Sequence, residues 1–257
     1  VNLGLALCGS QNGISRSIPA LYARTRVKKR SLVLLDSEIN SDEIPTSVFP
    51  DCGTEGDQGP DTEYRMKTYA AEAPKLATEA CAQALAQAGV RAEEINHLVV
   101  VTCTGFFSPG LDVALIQKLN LQPTVSRTQI GFMGCHGLIN GLRAAQALAG
   151  ESESSRVLVC AVEICSIHAA YGEDRDRVVT NAIFADGASA AVIGGGKGLW
   201  SLSATGSCLF PNSEDAMTWR IGNHGFEMSL SRQVPKLIEA HLRPWLANWL
   251  RVQALEL

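Results

Sequence analysis

The chain has 257 residues, of which 46% are hydrophobic and 19% charged, with a formal net charge of −4. This length can bury a large core, in one large domain or two smaller ones. The negative charge argues against a nucleic-acid-binding protein, whose domain is normally basic. Eight cysteines without a CxxC pair argue against structural zinc, and we expect no metal. Neither a signal-peptide pattern nor a membrane-length apolar run occurs, so we expect a cytoplasmic protein without membrane contact.

The first half of the chain alternates between turn-rich and strongly periodic segments. An acidic stretch rich in Gly, Pro and Ser predicts an exposed loop at residues 38–63. The amphipathic, alanine-rich run from Tyr69 predicts a helix that ends at Gly89. The β-branched run His97–Thr102 then predicts a buried strand, and residues 110–119 predict a short helix.

The second half continues the alternation of strands and helices. Residues 156–163 predict a second buried strand, and residues 189–194 and 199–204 predict a β-hairpin joined through a glycine-rich turn. Residues 235–250 predict a closing helix. Because the buried strands are apolar throughout, we expect a mostly parallel sheet in an α/β fold with both faces covered.

The segment Gly131–Leu138 places Cys135 between glycines, directly ahead of a helical pattern. A helix N-terminus carries partial positive charge and favours an anion such as a thiolate. The glycines allow a tight turn from strand to helix and a close approach of a substrate. The pattern therefore indicates a nucleophilic cysteine, with a buried structural cysteine as the alternative.

A basic run, Arg24 to Arg30, stands out in this acidic chain. Most such runs form a solvated face. The alternative is a site that attracts phosphate groups, because lysine and arginine bind them well.

Several separated motifs together resemble one family, the type III polyketide synthases related to chalcone synthase. They occur in family order and cover most of residues 18–250: IPALYARTRVKKRSLVLLD, VVVTCTGFFSPGLDVALIQKLNL, TQIGFMGCHGLINGLRAAQALA, VLVCAVEICSIH, NAIFADGASAAVIG and WRIGNHGFEMSLSRQVPKLIEAHL. The resemblance implies a thiolase-like layered αβαβα fold with an incomplete second half. Residues 1–197 would form the first half, with the nucleophile, and residues 198–257 would begin the second.

The resemblance also implies a chemistry. Cys135 would take an acyl group from coenzyme A, and malonyl-CoA would be decarboxylated to extend it. The CoA thioesters would be substrates, no cofactor would stay bound, and the protein would be a homodimer. The alternatives are a catalytically silent fragment that dimerises or binds acyl-CoA, and an enzyme like β-ketoacyl synthase III.

By family position, four further residues would line the substrate pocket and one would bind CoA. The pocket residues would be Cys103, His168, Phe184 (a gating position) and Met228. His168 would shape the acyl pocket, with a role as base as the alternative. Arg24 would contact the CoA phosphates.

The chain also departs from the family pattern. The family's catalytic histidine, in an HPGG-type motif, and its asparagine, in a GN-type motif, do not occur before Leu257. The region between a strand expected at residues 4–7 and Ile18 looks shortened. None of the five histidines is a convincing replacement for the catalytic one, so we expect Cys135 to be acylated while condensation by residues 1–257 is badly impaired.

Overall fold

A computed structural model of the chain describes residues 2–8, 13–34, 56–195 and 198–255. In these parts the α-helices are α1 (Asn2–Cys8), α2 (Ile18–Thr25), α3 (Thr62–Ala88), α4 (Leu111–Leu119), α5 (Gly137–Ala149), α6 (Arg175–Ile183) and α7 (Val234–Val252). The strands are β1 (His97–Thr102), β2 (Ser126–Gly131), β3 (Arg156–Ile164), β4 (Asp186–Gly194), β5 (Met217–Gly222) and β6 (Gly225–Leu230).

The main sheet has the strand order β2-β1-β3-β4. Strand β1 pairs in parallel with β2 and with β3, and β4 runs antiparallel to β3. In the β1–β2 register, Thr102 lies opposite Gly131. The carboxyl ends of β1, β2 and β3 therefore meet at one edge of the sheet, where ligands of open α/β sheets usually bind.

Alternate residues of β1 face opposite sides of the sheet, as the two-residue period of a strand requires. Leu98 and Val100 belong to the core cluster that includes residues of α3 and α4. Val99 and Val101 belong to a second cluster with residues of α5. Helices thus cover both faces, which accounts for the apolar sequence of β1 and β3.

Helix α5 packs unusually close to β1 because two of its residues have no side chain. A Cβ atom on Gly137 would lie 2.9 Å from Val101 Cγ1, and one on Gly141 would lie 2.7 Å from Val101 Cγ2. These glycines allow the first two turns of α5 to contact the sheet directly. The helix N-terminus is thereby placed at the carboxyl edge of the strands.

The small hairpin β5–β6 joins the main body near the start of α3. Asn223 lies in the turn of this hairpin, and its carbonyl oxygen accepts a hydrogen bond from the Thr62 amide at 2.8 Å. The adjacent His224 Nδ1 lies 2.9 Å from the Gly59 carbonyl oxygen. His224 is therefore part of the contact that holds the hairpin in place.

Several sequence predictions are confirmed. Strand β1 has the predicted bounds, and β3 runs one residue beyond its predicted end. Helix α3 begins earlier than predicted, at Thr62, because the Asp61 side chain caps it by accepting from the Tyr64 amide. It ends as predicted, with Gly89 in the left-handed region at φ 63°. Helix α7 extends slightly beyond residues 235–250 at both ends.

Two strand predictions are wrong. Residues 4–7 belong to helix α1, in which Leu7 is buried against Tyr171 and Ala169. Residues 189–194 do form a strand, but β4 pairs with β3, and no strand forms at residues 199–204. The apolar side chains that suggested that strand, Leu199 and Trp200, are about nine-tenths exposed.

The predicted loop at residues 38–63 lies largely outside the described residues, and its last two residues belong to α3. In the parts of the chain that the structure describes, no helix combines the length and the apolarity needed to cross a bilayer.

Candidate active site

Cys135 lies just beyond the carboxyl end of β2. The chain turns sharply there, with Phe132 at φ 56° and Gly134 at φ 70°, both in the left-handed region. Cys135 then sits in a single 3₁₀ turn, Gly134–His136, that leads directly into α5. The thiol is exposed and lies at the positive end of the helix dipole. This is the strand-turn-helix arrangement that the glycine spacing predicts.

A cavity of about 620 Å³ opens at this edge of the sheet. It brings together all five residues expected at the nucleophile and acyl pocket: Cys135, Cys103, His168, Phe184 and Met228. Arg24 is exposed on α2 and is not among the lining residues, whereas Arg30 is.

The carboxylate of Glu163, near the end of β3, binds the end of β1. It accepts hydrogen bonds from the Cys103 amide at 2.9 Å, the Thr104 amide at 3.0 Å and the Thr104 hydroxyl at 2.6 Å. The Thr104 hydroxyl oxygen in turn accepts from the Ile164 amide at 2.9 Å. These bonds fix the backbone of residues 103–104 against β3, so that Cys103 and Glu163 both face the cavity.

His168 connects this segment to the hairpin. Its Nδ1 accepts from the Phe226 amide at 2.9 Å, so Nε2 carries the ring proton and donates to the Thr104 carbonyl oxygen at 2.6 Å. The ring is 7% exposed, and burial lowers its pKa to about 4. His168 is therefore a neutral imidazole with both nitrogens engaged, which leaves neither free to act as a base.

Aromatic side chains of the hairpin form one wall of the site. The Phe226 ring stacks on His168 with centroids 4.2 Å apart, and Trp219 meets His168 edge-on at 5.3 Å. The Trp219 indole N–H donates to the Cys103 carbonyl oxygen at 2.8 Å. The hairpin is thus held to the end of β1 by both polar and aromatic contacts.

Two arginines hold the backbone around the cavity. The guanidinium of Arg65 is buried and donates to the carbonyl oxygens of Ile167 and Ala169, on either side of His168. Burial lowers its pKa to about 10. Arg30 donates to the carbonyl oxygens of Asn181 and Phe184, and so fixes the main chain at the expected gating position.

Asp186 plays a structural part at the wall of the cavity. It accepts from the Ser166 amide at 2.7 Å, the Ser166 hydroxyl at 2.6 Å and the Val33 amide at 2.7 Å. Burial raises the pKa of its carboxyl group, and these hydrogen bonds oppose that shift. A carboxylate beside buried strands needs such hydrogen-bond donors.

Two further thiols share the cavity with Cys135. Burial, together with the negative charge of Glu163, raises the pKa of Cys103 well above its usual value. The same two causes raise the pKa of Cys165 to about 12. Both are therefore protonated at neutral pH, and Cys135 is the exposed thiol of the three.

Sequence reasoning missed several residues of the site. Arg30 was predicted only as part of a basic run, and Glu163 only as the last residue of the strand at residues 156–163. Trp219 and Phe226 fall within one of the motifs that carry the family resemblance, but no role was predicted for either, and Arg65 falls in none of these motifs. The cue available for Glu163 was its place at the end of an apolar strand, where a charged group needs several hydrogen-bond donors.

Two solved structures of polyketide synthases share this architecture, and one of them is a type III polyketide synthase domain. The chain matches the crystal structure of PKS-I from the brown alga Ectocarpus siliculosus with a TM-score of 0.85 and 29% identity, over 99% of this chain and 69% of that one. It matches the C-terminal type III polyketide synthase domain of Steely1 from Dictyostelium with a TM-score of 0.83 and 25% identity, over 96% and 68%. The fold is therefore thiolase-like.

The family model for chalcone and stilbene synthases, N-terminal domain, matches residues 5–197. The chain belongs to this family, the type III polyketide synthases. It is 30% identical over 241 residues to the alpha-pyrone synthesis polyketide synthase-like Pks18 of Mycobacterium tuberculosis, and 34% identical over 187 residues to bisdemethoxycurcumin synthase of Oryza sativa. These matches cover 90% and 70% of this chain, and 58% and 46% of the relatives. The chain thus spans about half the length of these relatives.

The buried His168 predicts a dependence of stability on pH. Its pKa is about 4 in the folded protein against 6.5 unfolded, so the unfolded state takes up the proton first as the pH falls. The free energy of unfolding should be unaffected by this group above pH 6.5. It should then fall by about 1.4 kcal/mol per pH unit between pH 6.5 and pH 4.

Urea unfolding of the unaltered chain and of His168→Asn at several pH values measures this effect. In His168→Asn, the free energy of unfolding should depend less steeply on pH between pH 6.5 and pH 4. Only the contribution of His168 is removed, and the contributions of all other titratable groups remain. Parallel stability curves for the two proteins would show that His168 titrates normally.

Proposed function

We propose that the chain carries the acyl-loading site of a type III polyketide synthase, in which Cys135 takes an acyl group from a CoA thioester and malonyl-CoA extends it. The observation that carries the proposal is the exposed Cys135 thiol at the N-terminus of α5, opening into a cavity of about 620 Å³. Membership of the chalcone and stilbene synthase family supports a condensing enzyme.

The loading step needs only what this site offers. The Cys135 thiolate attacks the thioester carbonyl carbon, the bond to the CoA sulfur breaks, and CoA leaves as its thiolate. One thioester replaces another, so the exchange is close to energy-neutral, and cysteine is an intrinsically strong nucleophile. The positive end of α5 stabilises negative charge that develops beside Cys135.

The cavity walls suggest roles for the remaining residues. Cys103, His168 and Met228 would bound the space for the growing chain, and Phe184 would stand between it and the incoming CoA. Met228 is unbranched and flexible, which suits a wall that adapts to different acyl groups. Arg24 would meet the CoA phosphates from outside the cavity, with Arg30 nearer to it.

Condensation needs groups that acyl loading does not need. Decarboxylation of malonyl-CoA produces an enolate, which needs hydrogen-bond donors, and loss of one such donor costs about 10²–10³ in rate. His168 cannot supply one without giving up its bond to Thr104. The family's histidine and asparagine motifs do not occur in residues 1–257, so these residues alone should load acyl groups far better than they condense them.

We also propose that the protein is a homodimer that works in the cytoplasm, where Cys135 stays reduced. Strand β2 is an edge strand, and Ser126 to Gln129 are exposed along it. Beside it, Phe106, Phe132 and Met133 are between 42% and 50% exposed. The edge of the described sheet, next to exposed apolar side chains, is well suited to a second copy of the chain.

The reactivity of the thiols tests the loading proposal. Limiting iodoacetamide at neutral pH should alkylate Cys135 before the other seven cysteines, because this thiol is exposed at a helix N-terminus. Acetyl-CoA should leave an acetyl mass on the same residue. Peptide mass spectrometry measures both.

Cys135→Ala is the control, and it should abolish the adduct without disturbing the fold. Malonyl-CoA decarboxylation by residues 1–257 should stay near background. An adduct on Cys103 or Cys165 with Cys135 unmodified would refute the assignment of the nucleophile. Binding of acetyl-CoA without any adduct would favour a protein that only binds acyl-CoA.

The proposed dimer can be tested by placing a charge beside the edge strand β2. Phe106→Asp should raise the dissociation constant of the dimer about tenfold or more, since aromatic side chains commonly dominate interface energies. Leu209→Asp, which changes a side chain that is 78% exposed elsewhere, should leave it unchanged. Sedimentation velocity measures both, and a monomeric unaltered protein at micromolar concentration would contradict the proposal.

A further inference from the structure

Three cysteines gather at the edge where the parallel strands end. Cys103 follows β1, Cys165 follows β3, and Cys135 lies four residues past the end of β2. All three line the cavity. Their side chains are close enough that Cys135 contributes to the electrostatic environment of both Cys103 and Cys165. Acyl loading uses only Cys135, and neither of the other two thiols takes part in that step.

Cys103 lies on the same side of the sheet as Cys135. Side chains alternate along a strand, and Cys103 comes two residues after Val101, whose methyl groups contact the glycines at the start of α5. The β2 end is also tied to β1, because the Phe132 amide donates to the Thr102 carbonyl oxygen at 3.3 Å. Neighbouring strands are about 4.8 Å apart, and a disulfide needs Cα atoms within about 7 Å.

Formation of a disulfide by peroxide needs one thiol that reacts with the oxidant and a second thiol that attacks the oxidised sulfur. Cys135 and Cys103 differ in this way. Cys135 is exposed at the positive end of a helix, a setting that favours a thiolate able to attack peroxide. Cys103 is half-buried and protonated, and its thiol donates a hydrogen bond to the Glu163 carboxylate. Glu163 is therefore in position to accept the Cys103 proton if that sulfur becomes a nucleophile.

We propose that Cys135 and Cys103 form a reversible disulfide when the protein meets hydrogen peroxide, and that this bond blocks the loading site until a thiol reduces it. The pair is a modification site within the cavity. That the disulfide stops acyl transfer rests on the proposed function, whereas its formation does not.

The chemistry balances in two steps. The Cys135 thiolate attacks one peroxide oxygen, the O–O bond breaks, and hydroxide leaves, which gives a sulfenic acid on Cys135. The Cys103 sulfur then attacks the Cys135 sulfur while its proton passes to Glu163. The S–O bond breaks, and the departing hydroxide takes up that proton as water. In sum, two thiols and one peroxide give one disulfide and two waters.

Cys165 is the competing partner, and the topology favours Cys103 over it. Strand β3, which precedes Cys165, is separated from β2 by β1. Elsewhere among the described residues, Cys81 and Cys160 also lie close together, but both are fully buried in the core and closed to peroxide. Cys165→Ser is therefore a matched control for Cys103→Ser, since both remove one thiol from the same cavity.

The experiment treats the reduced full chain with stoichiometric hydrogen peroxide, blocks free thiols with N-ethylmaleimide, and maps peptides without reduction. The unaltered chain and Cys165→Ser should both give a peptide that links Cys103 to Cys135 and that dithiothreitol releases. Cys103→Ser should lose the link and instead carry sulfenic acid on Cys135, trapped by dimedone, which proceeds to sulfinic acid.

A link from Cys135 to Cys165 in the unaltered chain would overturn the proposal. So would sulfinic acid on Cys135 with Cys103 left free. Loading from acetyl-CoA is measured separately, before peroxide, after peroxide and after reduction. A chain that forms the link but never takes up an acetyl group would refute the proposed function and leave the disulfide standing.

Discussion

The site depends on the binding of the Glu163 carboxylate to the backbone of Cys103 and Thr104. A carboxylate that accepts two amide hydrogens and a hydroxyl locks the end of β1 to the end of β3. Once that segment is fixed, its two outward carbonyl oxygens can accept from Trp219 and His168, and these bonds dock the hairpin. The binding of one partly buried carboxylate thus aligns the strand ends, the pocket wall and the hairpin.

A separate set of contacts places Cys135 at this edge of the sheet. Two glycines let α5 contact Val101, and the left-handed residues after β2 turn the chain into the helix. The nucleophile candidate therefore sits on a short, well-packed connection between two regular elements. The residues that line the cavity, by contrast, come from many elements, which include α1, β1, β3, α6, β4, β5 and β6.

Local patterns in the sequence predicted several elements of the fold and the turn that carries Cys135. The apolar runs predicted β1 and β3, Gly89 predicted the end of α3, and the glycines around Cys135 predicted the turn into α5. The prediction failed where pairing is non-local. Strand β4 was predicted correctly at residues 189–194 but assigned the wrong partner, because its side chains match β3 as well as a hairpin neighbour. Arg65, Trp219 and Phe226 act through contacts between distant segments, which no local pattern records.

Hydrogen exchange at the amides of Cys103 and Thr104 tests the role of Glu163 most directly. Both amides should be strongly protected in the unaltered chain, because the partly buried Glu163 carboxylate accepts from each. In Glu163→Ala they should exchange much faster, while amides in the middle of β1 should stay protected. Rapid exchange at Cys103 and Thr104 in the unaltered chain, or equal protection in both proteins, would contradict the account.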